Sequence, residues 1–117
     1  MPSFKTTQAM REAARLGLEL RRKFGRGGLS TQEAGRQGIG SGVARATAIA
    51  SGRDLPIETI RRMKAYFARH AGDKSAPGWG DRSKPSAGWI AWLLWGGEPG
   101  RRFAERVVAA YDRERER

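Results

Sequence analysis

Apolar residues recur at helical spacing along most of this chain, and no segment alternates polar and apolar residues as a half-buried strand would. We therefore expect an all-α fold without a β-sheet, a single compact bundle of four to five helices. Thr6 and Thr7 are good N-caps for a first helix that runs to about Phe24, where GRGG at 25–28 ends it. Its core-facing positions are Met10, Ala13, Ala14, Gly17, Leu20 and Phe24.

Two short helices are predicted next. Ser30 and Glu33 have the spacing of a capping box, which indicates a helix that ends near Gly38. Residues 40–42 read as a flexible glycine segment, and 43–50 as another helix, closed by Ser51 and Gly52.

These two segments admit a helix-turn-helix or, alternatively, a plain glycine-rich connector. Ala34, Gly38 and Ile39 supply the small residue, the turn glycine and the apolar residue of that motif. Ala44 and Thr47 fit it poorly, because larger apolar groups are usual there. If the motif is present, Arg45 is the candidate for reading bases.

Pro56 suits the first turn of a further helix, which runs to about His70 and carries a basic back. Its apolar stripe is Ile57, Ile60, Met63 and Phe67, and Arg61, Arg62 and Arg69 lie away from that stripe. His70 is the only histidine, and no nucleophile or second metal ligand lies at a useful spacing. We expect a structural His70, no metal or cofactor, no catalytic residue and no enzyme activity.

Three of the four tryptophans fall in residues 85–97, PSAGWIAWLLWGG. Ser86 is a good N-cap and 96–97 a good stop, so a helix over 86–95 is predicted that is apolar on every side. Such a helix is buried all round, or presents one face to a partner or to a second copy of the chain. Burial at the centre of the bundle is the favoured interpretation, and an aromatic ligand site is the alternative.

The remaining segments are a loop, a last helix and a charged tail. Residues 73–88 are predicted as a loop, in which Trp79 either pins the chain to the core or lies exposed as a platform for a base. Pro99 opens a helix whose inner stripe is Phe103, Val107, Ala110 and Tyr111. The tail at 112–117 alternates in charge sign and is predicted to be a solvated, internally paired helix end. The chain, residues 1–117, is thus predicted to be a single basic helical domain.

Charge adds a functional hypothesis to this pattern. The chain has 23 Lys+Arg against 12 Asp+Glu, a net charge of +11, and no cysteine, so disulfides and thiolate metal sites are excluded. Residues 1–30 hold a net +5 and residues 55–72 a net +3. A domain this basic attracts polyanions, nucleic acid above all. We expect no signal peptide, because Met1 to Met10 has no apolar stretch, and no membrane partner, because the apolar run from Trp89 to Trp95 is too short to span a bilayer.

Several blocks of the sequence resemble a family of small basic proteins found in tailed-phage genomes. They are ETIRRMKAYFARH at 58–70, DK at 73–74, GWG at 78–80 and PSAGWIAWLLWGGEPGRRFAERV at 85–107, with AARLGLELRRKFGRGG and GVARATAIASGRDL upstream. In that family the GRGG turn joins the GVARA helix directly, so residues 29–41 look like an insertion here. The resemblance implies a bacteriophage viral protein with an all-helical core, located in the host cytoplasm or the virion. It implies no activity and no site residues.

The leading prediction is a nucleic-acid-binding protein, with DNA as the favoured target, whose basic helical patch contacts the phosphate backbone. The candidate residues are Arg11, Arg15, Arg22, Lys23 and Arg26 of the first helix, Arg45, and Arg61, Arg62 and Arg69. The patch forms if the first helix and the 57–70 helix lie side by side; otherwise the arginine rows are solvated faces. The alternative is a phage virion or assembly component, or an inhibitor that binds an acidic surface of a host protein.

Overall fold

Five α-helices and one short strand pair make up the part of the chain that the structure describes, residues 2–27 and 42–116 of a computed structural model. The elements are β1 (Ser3–Phe4), α1 (Gln8–Phe24), α2 (Gly42–Ala50), β2 (Leu55–Pro56), α3 (Ile57–His70), a 3-10 turn (Ala71–Ser75), α4 (Ala87–Leu94) and α5 (Gly97–Arg115). The predicted all-α bundle is confirmed. The capping-box helix, the residues proposed for the helix turn (Ala34, Gly38 and Ile39) and the insertion at 29–41 lie outside the described residues.

The caps of α1 are those the sequence indicates. The Thr7 hydroxyl accepts a hydrogen bond from the backbone N–H of Met10 at 3.3 Å. At the other end, Gly25 adopts the left-handed conformation and its N–H donates to the carbonyl of Arg21. Met10, Ala14, Gly17 and Leu20 are buried, and Ala13 and Phe24 partly so, which confirms the predicted inner face.

The expectation of no β-sheet is wrong by one small element. β1 pairs antiparallel with β2, with Ser3 opposite Pro56 and Phe4 opposite Leu55. The pair is too short to show an alternating pattern, which is why periodicity misses it. It holds the N-terminal segment against the start of α3, where Leu55 is buried.

The inner face of α3 is wider than the predicted stripe. Ile57, Ile60, Met63 and Phe67 are buried as expected, and Tyr66 is buried as well, with 6% of its surface exposed. Tyr66 lies three residues after Met63, on the edge of the stripe that faces α4. Pro56 precedes the first helical residue as the N-cap instead of occupying the first turn.

Helix α4 lies at the centre of the bundle. It packs against α1, α2, α5 and the 3-10 turn, and supplies side chains to two apolar clusters: Trp92 to the larger one, and Ile90, Leu93 and Leu94 to the smaller one. Helix α1 approaches closely at Gly17, where a Cβ would come within 2.9 Å of the Leu93 Cβ and the Leu94 backbone nitrogen. Only glycine permits this crossing without a shift of one helix.

The Trp92 indole is the point where the most elements meet. It is 2% exposed, and its ring makes edge contacts with Phe67 at 4.7 Å and with Trp79 at 5.3 Å. The Lys74 ammonium lies 4.8 Å from the centroid of the same ring. Trp92 therefore joins α3, α4 and the loop after the 3-10 turn, as the central-helix interpretation predicts.

The 73–88 segment is more ordered than a loop prediction implies. Its start belongs to the 3-10 turn, and α4 begins at Ala87. The Asp81 carboxylate accepts hydrogen bonds from the Ser83 hydroxyl and from the backbone N–H groups of Ser83 and Lys84, and these bonds lower the pKa of Asp81. Trp79 is partly buried against the larger cluster, so the pin interpretation is confirmed for this tryptophan.

Helix α5 follows α4 through Gly96 and Gly97. Their φ angles are 103° and 64°, values that residues other than glycine rarely adopt. The buried residues of α5 are Gly97, Gly100, Phe103, Ala104 and Val108. Val107 and Tyr111 of the predicted stripe pack against the core from its edge, whereas Ala110 is only half-buried and belongs to neither cluster. The face is rotated because α5 packs against α1 as well as α3.

The charged tail is helical to Arg115, but Asp112 pairs across the bundle instead of within the tail. Its carboxylate accepts two hydrogen bonds from the Arg61 guanidinium, at 2.6 and 3.4 Å. The expected internal pairing is therefore wrong for Asp112. The reason is that α3 and α5 pack side by side, which brings the two groups together.

Changing Trp92 or Leu93 to Ala should destabilise the protein by about 3–5 kcal/mol, because each change leaves a cavity between several elements. The measurement is chemical denaturation followed by circular dichroism. Trp89→Ala is the matched control, since Trp89 lies on the same helix but is only partly buried and should cost clearly less. Equal losses for Trp89→Ala and Trp92→Ala would contradict the central position of Trp92.

Candidate nucleic-acid interface

A stack of side chains runs from α2 across the end of α4 to α3. The Arg45 guanidinium lies 3.8 Å from the centroid of the Trp95 ring. Trp95 in turn stacks on Tyr66 at 4.7 Å with an angle of 11° between the rings, and Tyr66 stacks on His70 at 4.5 Å. Guanidinium groups bind well to aromatic faces, so this contact fixes the position of the Arg45 side chain.

The far end of the stack is held by a hydrogen-bond contact between two side chains. His70 Nδ1 lies 3.0 Å from Asp73 Oδ2 in the 3-10 turn. Burial, and then the charge of Asp73, raise the pKa of Tyr66 well above its usual range, so its hydroxyl stays protonated. Among the described residues that hydroxyl has no hydrogen-bond partner. The contacts of His70 are those of a structural side chain.

Arg45 is held in a partly dehydrated position next to another cation. Burial, and then the charge of Arg62, lower the pKa of Arg45. Arg62 lies on α3 one turn before Tyr66, which places it on the side of α3 that carries the stack. Within residues 2–27 and 42–116, neither arginine forms an ion pair with a carboxylate.

The arginines of α1 approach α2 at its C-terminal end. Arg15 donates a hydrogen bond to the carbonyl of Ala50 at 3.2 Å, and the Arg11 guanidinium lies beside Gly52. Arg22 lines a surface depression together with Arg15, Leu18 and Glu19.

The remaining candidates are less well placed. Arg61 is engaged by Asp112, whose hydrogen bond raises the pKa of Arg61. Arg69 is exposed two turns along α3 from Arg62. Lys23 and Arg26 are exposed at the C-terminal end of α1, with the Lys23 ammonium 5.4 Å from the Phe24 ring centroid.

The predicted patch required α1 and α3 to lie side by side, and the structure does not meet this condition. Helix α1 packs against α2, α4 and α5, whereas α3 packs mainly against α5, and the two share no extensive contact. Helix α2 packs against α1 and α4, and its Arg45 side chain reaches the stack that Tyr66 of α3 belongs to. We call the exposed and half-exposed set Arg11, Arg15, Arg22, Arg45 and Arg62 the arginine surface.

The side formed by the 3-10 turn and the first turns of α5 is more nearly neutral. Arg101 binds both Glu98 and Glu105, and Lys74 binds Glu98 at 3.2 Å. Partial burial acts to raise the pKa of Glu98, but the hydrogen bonds from Arg101 and Lys74 outweigh it and lower that pKa. Lys74 and Arg101 are thus offset by nearby carboxylates, whereas no described carboxylate pairs with the arginine surface or with Arg102, Arg106 and Arg113 of α5.

A tryptophan-lined cavity of about 320 Å³ also lies on this more neutral side, between Trp79, Trp89 and Trp92. Its charged rim is the Lys74–Glu98 pair, and the Lys74 ammonium already occupies the face of Trp92. The tryptophans of this cavity therefore serve the fold, which leaves Trp95 as the one that contacts the arginine surface.

Comparison of the chain with protein-family models, with curated proteins and with solved structures finds no match. The resemblance to small tailed-phage proteins therefore stays a prediction. No helix in the described ranges is long and apolar enough to cross a bilayer. Over the same residues, no group of three His, Cys, Asp or Glu side chains is placed to hold a metal ion.

A double-mutant cycle on Arg45 and Trp95 should show a coupling energy of about 0.5–2 kcal/mol, because the guanidinium lies on the ring in a partly dehydrated place. The free energy of unfolding is measured for Arg45→Ala, Trp95→Ala and the double variant. The pair Arg69 and Trp95 serves as control and should show no coupling. A coupling of zero for Arg45 and Trp95 would mean that the stack does not hold the arginine.

Proposed function

We propose that this chain binds nucleic acid, with duplex DNA as the favoured target, through contacts of the arginine surface with the phosphate backbone. The observation that carries the proposal is the set of arginines on α1, α2 and α3 that have no carboxylate partner among the described residues. On α5, Arg102, Arg106 and Arg113 also lack such a partner, but they lie on a single helix, whereas the arginine surface draws on three. Guanidinium groups without a carboxylate partner are available to neutralise the phosphates of a polyanion.

Electrostatic attraction favours nucleic-acid binding in two ways, one at long range and one at short range. At long range, the net charge of +11 attracts a polyanion and speeds association at low salt. At short range, guanidinium groups donate two parallel hydrogen bonds to phosphate oxygens. Such contacts carry no sequence information by themselves, so we propose binding that depends little on base sequence.

Base reading by Arg45 is not part of this proposal. Its guanidinium lies on Trp95 instead of projecting freely from α2, and a recognition helix usually presents extended side chains to base edges. The phage resemblance, if correct, places this binding in the host cytoplasm or the virion. The protein-partner alternative uses the same surface and becomes the leading hypothesis if nucleic acid does not bind.

The main test is a salt titration of duplex DNA binding for two variants that each lose three positive charges. Arg11, Arg22 and Arg62 are changed to Ala in one; none of the three makes a side-chain hydrogen bond to a described residue. Arg102, Arg106 and Arg113, all exposed on the solvent face of α5, are changed to Ala in the other.

We expect the first variant to bind weakly, with a log–log salt slope shallower by about 2–3, since each phosphate contact contributes about 0.9 to that slope. The α5 variant should keep most of the slope. Equal losses would show that only net charge matters. No binding by the wild type at about 50 mM salt, where non-specific contacts are strong, would exclude the nucleic-acid proposal.

Asp112→Asn should strengthen binding, because it releases the Arg61 guanidinium beside Arg62. If the released side chain reaches one further phosphate, the salt slope steepens by about 0.9. Glu114→Gln is the control: it removes the same unit of negative charge, and Glu114 has no ion-pair partner in the described part of the chain. Equal changes in the two variants would mean that Asp112 does not mask a binding residue.

A further inference from the structure

Arg45 and Arg62 form a pair of like charges at a position where neither has a carboxylate counterion among residues 2–27 and 42–116. Arg62, Tyr66 and His70 follow one another at intervals of four residues on α3, so their side chains lie on one face. Trp95 stacks on Tyr66 and carries Arg45 at 3.8 Å. Arg45 is therefore held at the end of the stack, beside the α3 face that carries Arg62, and the charge of Arg62 adds to burial in lowering the pKa of Arg45.

The elements around this pair supply almost no negative charge. Helix α2 has the sequence GVARATAIA and helix α4 the sequence AGWIAWLL, neither with an acidic residue. On α3 the only carboxylate is Glu58, one turn before Arg62 on the same face, and it makes no ion pair with a described residue. The nearest acid along the stack, Asp73, is bound to His70 at the other end.

Two cations held together without an anion are unstable relative to the same pair with an anion between them. In water the repulsion would be relieved by side-chain movement, because long arginine side chains are flexible. Here Arg45 cannot move away without losing its contact with Trp95. The fold thus keeps one guanidinium in place and partly dehydrated, which strengthens its attraction for an anion.

We propose that Arg45 and Arg62 bind one phosphate group between them, with Trp95 as the residue that positions Arg45. Stacking on Trp95 occupies the face of the Arg45 guanidinium and leaves its edge available. That edge can donate two parallel hydrogen bonds to the phosphate oxygens, and Arg62 supplies the second charge. This inference rests on the proposed function when the phosphate belongs to a nucleic-acid backbone. The chemistry is the same for a free phosphate, so the two sources are separated by experiment.

The first arm uses sodium phosphate as the probe and nuclear magnetic resonance of the arginine Nε–Hε and tryptophan indole N–H groups. Adding phosphate, against sodium chloride at equal ionic strength, should shift the signals of Arg45, Arg62 and Trp95 in a saturable manner. Signals of Arg102 and Arg106 on α5 should move no more than in chloride. Uniform shifts over all arginines, or no saturation, would overturn the site.

The second arm compares Arg45→Lys with the wild type and with Arg102→Lys. Lysine keeps the charge but not the planar, two-pronged donor, so phosphate affinity should fall about tenfold, as for the loss of one charge-assisted hydrogen bond. Arg102→Lys should leave it unchanged. Circular dichroism and melting temperature show whether Arg45→Lys is folded, and Trp95→Phe keeps an aromatic face and should retain part of the affinity. Full affinity in Arg45→Lys would contradict the proposal.

The third arm repeats the comparison with duplex DNA and single-stranded RNA. If phosphate binds at the pair but neither nucleic acid does, the site stands and the proposed function fails. If nucleic acid binds and Arg45→Lys and Arg62→Ala keep the wild-type affinity and salt slope, the proposed function stands and this inference fails. Loss of both phosphate and nucleic-acid binding in these variants supports both.

Discussion

The packing of aromatic rings around Trp92 is the interaction on which the rest of this structure depends. An eight-residue helix without a charged residue cannot face water, and α4 is covered by α1, α2, α5 and the 3-10 turn, while its tryptophans reach α3. Trp92 connects α3 and the loop that carries Trp79 through ring contacts of 4.7 and 5.3 Å. Large aromatic side chains contribute most of the burial available to a small bundle.

The same arrangement decides where the charges lie. Because the centre is filled by α4, the basic residues of α1 and α3 are on the outside of the bundle, on helices that do not pack against each other. Trp95, at the end of α4, is the place where the aromatic core reaches the surface, and Arg45 lies on it. The core thus fixes the position of the Arg45 side chain, a proposed binding residue, as well as the fold.

Much of the fold could be predicted from periodicity and caps, because these are local signals. Thr7, Ser86 and the apolar stripe of α3 are examples in which the residue type and its position in the helix lead to the observed structure. The β1–β2 pair and the rotated inner face of α5 could not be predicted, since both depend on which segments meet in space. The ordered structure of residues 73–88 could not be predicted for the same reason.

The candidate site was only partly accessible from sequence. Charge distribution indicated the arginines of α1 and α3, but not that Arg61 is bound by Asp112 or that Arg15 of α1 contacts the end of α2. Arg62, Tyr66 and His70 follow one another at intervals of four residues, which indicates that they share one face of α3. A search for apolar residues alone does not use this signal. The contact of Arg45 with Trp95 joins residues 50 positions apart, and no local pattern reports it.

The central claim is that the arginine surface, and not the α5 side, contacts nucleic acid. The most direct test is arginine footprinting, in which a glyoxal reagent modifies exposed guanidinium groups with and without a duplex DNA and mass spectrometry locates the modified residues. The account predicts protection of Arg11, Arg15, Arg22 and Arg62, with Arg102, Arg106 and Arg113 modified equally in both samples. Protection of the α5 arginines alone, or of none, would contradict it.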